Sequence, residues 1–160
     1  MTHNLAQETL AAARKKAMVI TTAESCTGGL IGAALTSVAG SSDVYDGGWV
    51  TYSYGAKTAE LGVPETMLGE HGAVSEQVAR RMADGALARA SGRAHIAISV
   101  TGIAGPGGST DGKPVGMVWF GLAIKGQDTK SDVQTFKGDR EAVRTQTVDH
   151  AMNLILEALK

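Results

Sequence analysis

Ser25, Cys26 and Thr27, inside the run Ala23-Glu24-Ser25-Cys26-Thr27-Gly28-Gly29, are the residues of this chain best suited by type and setting to attack a substrate. They follow the short β-branched run Met18-Val19-Ile20-Thr21-Thr22 and precede Leu30, Ile31, Ala33, Ala34, Leu35 and Val38 at helical spacing. The pattern predicts strand, turn, helix, a junction at which reactive side chains are commonly presented. Backbone N–H groups near such a helix start favour an anion or a developing oxyanion, so Ser25 would attack a carbonyl beside ready donors. The same residues also make a good helix start, with Ser25 or Thr27 as cap and Gly28 and Gly29 supplying the turn. Cys26 is a rival nucleophile, because a helix N-terminus lowers a thiol's pKa. Chain neighbours point in different directions, so Ser25 and Cys26 do not share one line of attack, and a small buried thiol is the commoner role.

A serine hydroxyl needs a base. His3, His71, His95 and His150 qualify by type, but none stands at a recognisable triad spacing. A lysine made neutral by burial is the other choice. The S-x-x-K arrangement is absent, since Gly28 lies three residues after Ser25.

The elements that must position these groups are legible from patterning. A helix is predicted over 5–16, a strand over 17–22, a helix over 27–38 and a strand over 48–53 whose alternation puts Trp49, Thr51 and Ser53 on one face. Helical turns follow at 56–61 and 64–68, then a helix opened by Ser75 and Glu76 that ends near Ser91-Gly92. A strand over 95–100 runs into the glycine-rich segment Thr101 to Gly116, a length that in a compact domain points to function. Strands over 115–124 and 131–136 and a helix from Arg140 to Leu159, capped by Asp139, complete the chain. The order predicts an α/β fold: one domain over 1–160, with a mixed sheet covered by helices in three α/β/α layers.

Composition sets the limits. The 160 residues, 43% hydrophobic, suffice for one core without disulfides, and the single cysteine fits a reducing compartment. A net charge of −1 gives no long-range pull toward nucleic acid or membrane. No signal peptide or membrane-spanning run is evident, so a cytoplasmic location is expected. No Cys pair, H-x-x-x-H or acidic cluster has ligand spacing, so neither metal nor cofactor is expected.

Five blocks carry a resemblance. T-A-E-S-C-T-G-G, Val50-Thr51-Tyr52-Ser53 with Ala56-Lys57, His71-Gly72-Ala73-Val74-Ser75, Gly102-Ile103-Ala104-Gly105-Pro106 and Gly138-Asp139-Arg140 together resemble the CinA C-terminal domain family, which includes nicotinamide mononucleotide deamidases. The blocks run in order through nearly the whole chain, which resembles the stand-alone form of the domain. The resemblance implies an amidohydrolase of pyridine nucleotide salvage. In it Ser25 attacks the carboxamide carbon of nicotinamide mononucleotide, Lys57 takes and returns the proton, and water releases nicotinate mononucleotide. It also implies substrate contacts at Tyr52 and Arg140.

The substrate's phosphate needs a local anion site. Arg140 and Arg144 lie one turn apart near a helix N-terminus. Arg140 is the expected contact, while Arg144 is expected in solvent. Thr27 and Gly28 in the serine turn, and Thr101, Gly102 and Gly105 in the glycine-rich segment, are expected around the substrate, where glycine permits close backbone approach. The family's Tyr-Ser-Asn is here Tyr52-Ser53-Tyr54. A homo-oligomer is expected, with Trp49, Trp119 and Tyr54 as anchors. The alternative is a non-catalytic nucleotide-binding or regulatory module of the same fold, and a third reading is a thiol enzyme using Cys26.

Overall fold

The computed structural model describes residues 1–160. Its elements follow the order α1 (Thr2–Lys15), β1 (Ile20–Glu24), α2 (Leu30–Thr36), β2 (Tyr45–Val50), α3 (Tyr54–Leu61), α4 (Glu65–His71), α5 (Glu76–Arg89), β3 (Ile96–Gly102), β4 (Met117–Ile124), β5 (Lys130–Thr135) and α6 (Arg140–Ala158). One five-stranded sheet has the order β2-β1-β3-β4-β5. β1 pairs parallel with both β2 and β3, and β4 and β5 are antiparallel additions. The sheet is therefore mixed, as expected.

Strand alternation sorts the core into two sides. Ile96, Ile98 and Val100 of β3, with Val118 and Phe120 of β4, face Leu10 of α1, Ile31 and Leu35 of α2 and Met152 and Ile155 of α6. Ala23, Ala97 and Ala123 face the other way, against Leu61, Leu68, Val78, Met82 and Ala86 of α3, α4 and α5. These are the three predicted layers. The second side is paved with alanine, which lets α5 lie close to the sheet. The helices also approach one another closely there, since a Cβ at Gly85 of α5 would stand 2.0 Å from the Leu61 carbonyl oxygen. No helix is long and apolar enough to cross a membrane.

Several boundaries differ from the sequence reading: β1 spans Ile20–Glu24 where 17–22 was expected, β2 starts at Tyr45 where 48 was expected, and three further differences have clear physical reasons. β2 ends at Val50 because Ser53 is a helix cap, its hydroxyl accepting from the Ala56 N–H at 3.0 Å, so α3 begins earlier than expected and Lys57 lies within it. α2 begins at Leu30 because Gly28 and Gly29, both at positive φ, still belong to the turn. β3 runs on to Gly102, and the ladder continues through Ile103 N–H to Met117 O and Gly116 N–H to Ile103 O. The glycine-rich loop is thus shorter and firmly held at its base.

β1 lies between two strands reached in opposite senses, since the chain leaves it toward β2 and leaves β3 toward β4. In α/β sheets the crevice beyond such strand ends is where ligands bind. Ser25 follows the end of β1, and Thr101 and Gly102 end β3.

Candidate active site

Glu24 and Ser25 stand back to back. The Ser25 N–H donates to Val100 O at 3.1 Å, extending the parallel ladder by one residue, so alternation sends the two side chains to opposite faces. Glu24, 2% exposed, accepts from the Thr27 hydroxyl (2.6 Å) and the Ile31 N–H (2.9 Å) on Oε1, and from the Gly32 N–H (3.0 Å) on Oε2. The residue at the N-cap of α2 is Gly29, which has no side chain to cap with. The cap comes instead from the preceding strand, and one carboxylate fastens the turn to the helix. Glu24 therefore both orients the turn and favours the helix start.

On the opposite face, Lys57 is fully buried and its Nζ donates to three oxygens: Ser25 Oγ at 2.8 Å, Thr51 O at 2.8 Å and Tyr52 O at 2.9 Å. Burial lowers its pKa to about 8, with Cys26 opposing slightly. When neutral, the amine can keep both carbonyl contacts with its two hydrogens and turn its lone pair to the serine hydroxyl. That is the geometry a general base requires. Burial pushes the Cys26 thiol up to about 11, so little thiolate exists at neutral pH.

The pair lies in a cleft of about 170 Å³ lined by Ser25, Cys26, Tyr52, Lys57, Ala73, Val74, Thr101, Gly102, Ala104 and Arg140. Thr101 donates through its hydroxyl to Ala73 O at 2.9 Å, tying two walls together. At the rim, Arg140 donates to Gly105 O at 2.8 Å and to the Tyr52 hydroxyl at 3.4 Å. The N–H groups of Cys26 and Thr27, which follow the serine, have no acceptor within the protein. In a wider cleft of about 390 Å³ beside Asp132 and Leu154, the hydroxyl of the one lining serine, Ser131, is engaged outside it, donating to Glu76 Oε1 at 2.7 Å and accepting from Arg80 Nε at 3.2 Å. No group of three or more His, Cys, Asp or Glu side chains converges to hold a metal.

Ser25, Lys57, Tyr52, Thr101, Gly102 and Arg140 are therefore brought together. Three expected residues are not in the lining. Thr27 is fully buried with its hydroxyl on Glu24, Gly28 turns its back to the cleft toward Arg144, and Gly105 contributes its carbonyl to Arg140. Arg144 is not a solvated surface residue as expected; its guanidinium donates to Cys26 O at 3.1 Å and Thr27 O at 3.2 Å. The histidines lie elsewhere: the Nδ1 of His95 accepts from the Val19 N–H and His150 pairs with Asp132.

Comparison with known proteins fits this architecture. The sequence model of the CinA C-terminal domain matches residues 2–159. The chain belongs to the CinA C-terminal domain family. Within that family it is 51% identical over 154 residues to the nicotinamide-nucleotide amidohydrolase PncC of Enterobacter agglomerans, covering 96% of this chain and 93% of that protein. It is 47% identical over 155 residues to a CinA-like protein of Akkermansia muciniphila, of which it spans 35%. Other CinA relatives are also much longer than the chain, whereas the PncC proteins are of similar length. The crystal structure of a CinA superfamily protein from Klebsiella pneumoniae superposes with a TM-score of 0.94 at 42% identity, covering 99% of this chain and 98% of that one. The CinA fold and the chain's three layers thus coincide.

Proposed function

We propose that this chain is a nicotinamide-nucleotide amidohydrolase of pyridine nucleotide salvage, built as one domain over 1–160, that converts nicotinamide mononucleotide and water to nicotinate mononucleotide and ammonia. The observation that carries the reading is the 2.8 Å contact between the buried Lys57 Nζ and Ser25 Oγ at the floor of the cleft. Its similarity to PncC over almost the full length of both chains supports the substrate.

In the reaction, neutral Lys57 takes the Ser25 proton as Oγ bonds to the carboxamide carbon. The carbonyl oxygen becomes an oxyanion, for which the unpaired N–H of Cys26, a residue of the cleft lining, is the donor. Lys57 passes its proton to the amide nitrogen as the C–N bond breaks, and ammonia leaves an acyl ester on Ser25. Water then adds with Lys57 again as base, the Oγ–carbon bond breaks, and the proton returns to Ser25. Arg140 and the Tyr52 hydroxyl at the rim are the contacts for the phosphate and ribose. Self-association is part of the proposal, with the 53% exposed Tyr54 as anchor; Trp49 and Trp119 are half-buried.

The test is ammonia release in chelated buffer from nicotinamide mononucleotide by the wild type and Ser25→Ala, with free nicotinamide as comparison. Turnover of the mononucleotide alone, lost in the variant, is expected. Absence of turnover in the wild type would refute the reading.

A further inference from the structure

Arg140 and Arg144 occupy one face of α6, a turn apart, yet their guanidinium groups do different work. Arg140 is at the rim of the cleft, while Arg144 lies behind the Ser25–Gly28 turn and is absent from the lining. Its Nε donates to Cys26 O at 3.1 Å and its Nη2 to Thr27 O at 3.2 Å.

Each of those carbonyls fixes a peptide plane. The chain's one cis bond joins Gly105 to Pro106, so the Cys26–Thr27 peptide is trans and its N–H points opposite to its C=O. Drawing the Cys26 carbonyl toward α6 turns the fully buried Thr27 N–H away from Arg144 and fixes the orientation of the turn, whose free donor in the cleft lining is the Cys26 N–H. In the next peptide, Arg144 holds the Thr27 carbonyl while the Gly28 N–H donates to Ser25 O at 3.1 Å. A cation on the Thr27 carbonyl also polarises that unit and strengthens the Gly28 N–H as a donor to Ser25 O, which tightens the turn. Gly28 takes the left-handed conformation the turn requires, with φ of +60°, and lies against the guanidinium, where a Cβ would make ordinary van der Waals contact with Arg144 Nη2 at 3.6 Å.

We propose that Arg144 is a positioning residue of the amidohydrolase reaction, holding through the Cys26 and Thr27 carbonyls the turn that presents the Ser25 hydroxyl to the substrate and the Cys26 N–H to the tetrahedral oxyanion, and not a second phosphate ligand. The inference rests on the proposed activity. An oxyanion exists only after attack, so the effect belongs in kcat and not in substrate binding.

The experiment measures kcat and KM for nicotinamide mononucleotide in the wild type, Arg144→Gln and Arg144→Lys, with Tm recorded for each. In Arg144→Gln, kcat is expected to fall about 10- to 100-fold with KM within about threefold. In Arg144→Lys, which keeps a cation and one donor, kcat is expected to lie between that value and the wild type. If the Gln variant does not fold, the Lys variant decides alone, with a lowered kcat at unchanged KM. Added guanidinium ion is expected to restore part of the lost kcat in the weaker variant. A raised KM with unchanged kcat would make Arg144 a substrate ligand, and unchanged values of both would make it a bystander; either overturns the proposal. No ammonia from the wild type would refute the activity, and this role with it, whereas an active wild type with an unaffected Arg144→Gln refutes the role alone.

Discussion

Lys57 and Ser25, 32 residues apart in sequence, meet at 2.8 Å because the end of β1 and the first turn of α3 face each other across the cleft. The lysine has no carboxylate partner; its other contacts are the carbonyls of Thr51 and Tyr52. Desolvation of its charge outweighs the small opposing effect of Cys26, which is why its pKa is lowered to about 8.

The pH dependence follows. The base is active when unprotonated, so kcat/KM for nicotinamide mononucleotide is expected to rise with pH through a midpoint near 8, falling about tenfold per pH unit below it. Lys57→Arg, which cannot lose its proton, is expected to be inactive throughout. A midpoint near that of histidine would exclude Lys57 as the base. The same group shapes stability: between about 8 and the ordinary value of 10.5 the unfolded chain holds a proton that the folded chain has lost, so stability from Lys57 rises with pH in that window. Lys57→Met is expected to lack this slope in urea melts.

Ser25 and Cys26 are separated by paired variants. Ser25→Ala is expected to lose at least about 10³-fold in kcat with an unchanged far-UV spectrum. Cys26→Ala, lacking a thiol whose pKa is held at about 11, is expected to lose far less. The reverse order would establish a thiol enzyme.

Arg140 is expected to act in binding. Arg140→Gln removes the rim cation beside Tyr52 and is expected to raise KM for the mononucleotide about 10- to 100-fold. KM for nicotinamide riboside, which lacks the phosphate, is the control and is expected to change little. Equal losses on both substrates would remove the phosphate assignment.

Glu24 carries stability. Glu24→Ala strips acceptors from the buried Thr27 hydroxyl and from the Ile31 and Gly32 N–H groups, a loss expected to cost about 2–3 kcal/mol. Glu24→Gln keeps one acceptor oxygen and is expected to cost less. Denaturant midpoints at constant m check both values.

Gly85 sets the distance between α5 and α3. A methyl group there would meet the Leu61 carbonyl at 2.0 Å, and backbone cannot swing aside. Gly85→Ala is expected to destabilise by about 1–3 kcal/mol and to lower kcat as well, because α3 carries Lys57. A Tm equal to the wild type would show that the two helices part freely.

The sequence by itself determined most of the scaffold. Strand and helix periodicity, the Ser75 and Asp139 caps and the glycine-rich segment mark the elements and the α/β class, because these are local preferences of the chain. Boundaries slipped where a cap overrode the apolar pattern, as at Ser53, or where paired glycines prolonged a turn, as at Gly28-Gly29. The pairing of Ser25 with Lys57 was legible through family resemblance alone, since no periodicity links residues that meet across a sheet.

Tertiary structure decided what identical residue types do. Arg140 and Arg144 are alike in kind, helix and face, but one meets the cleft and the other the back of the serine turn. Glu24 and Ser25 are neighbours in sequence and are divided by the sheet itself, one fastening a helix and the other facing a buried lysine. Spacing along a helix or strand fixes a direction, and only the packing of other elements fixes what lies in that direction.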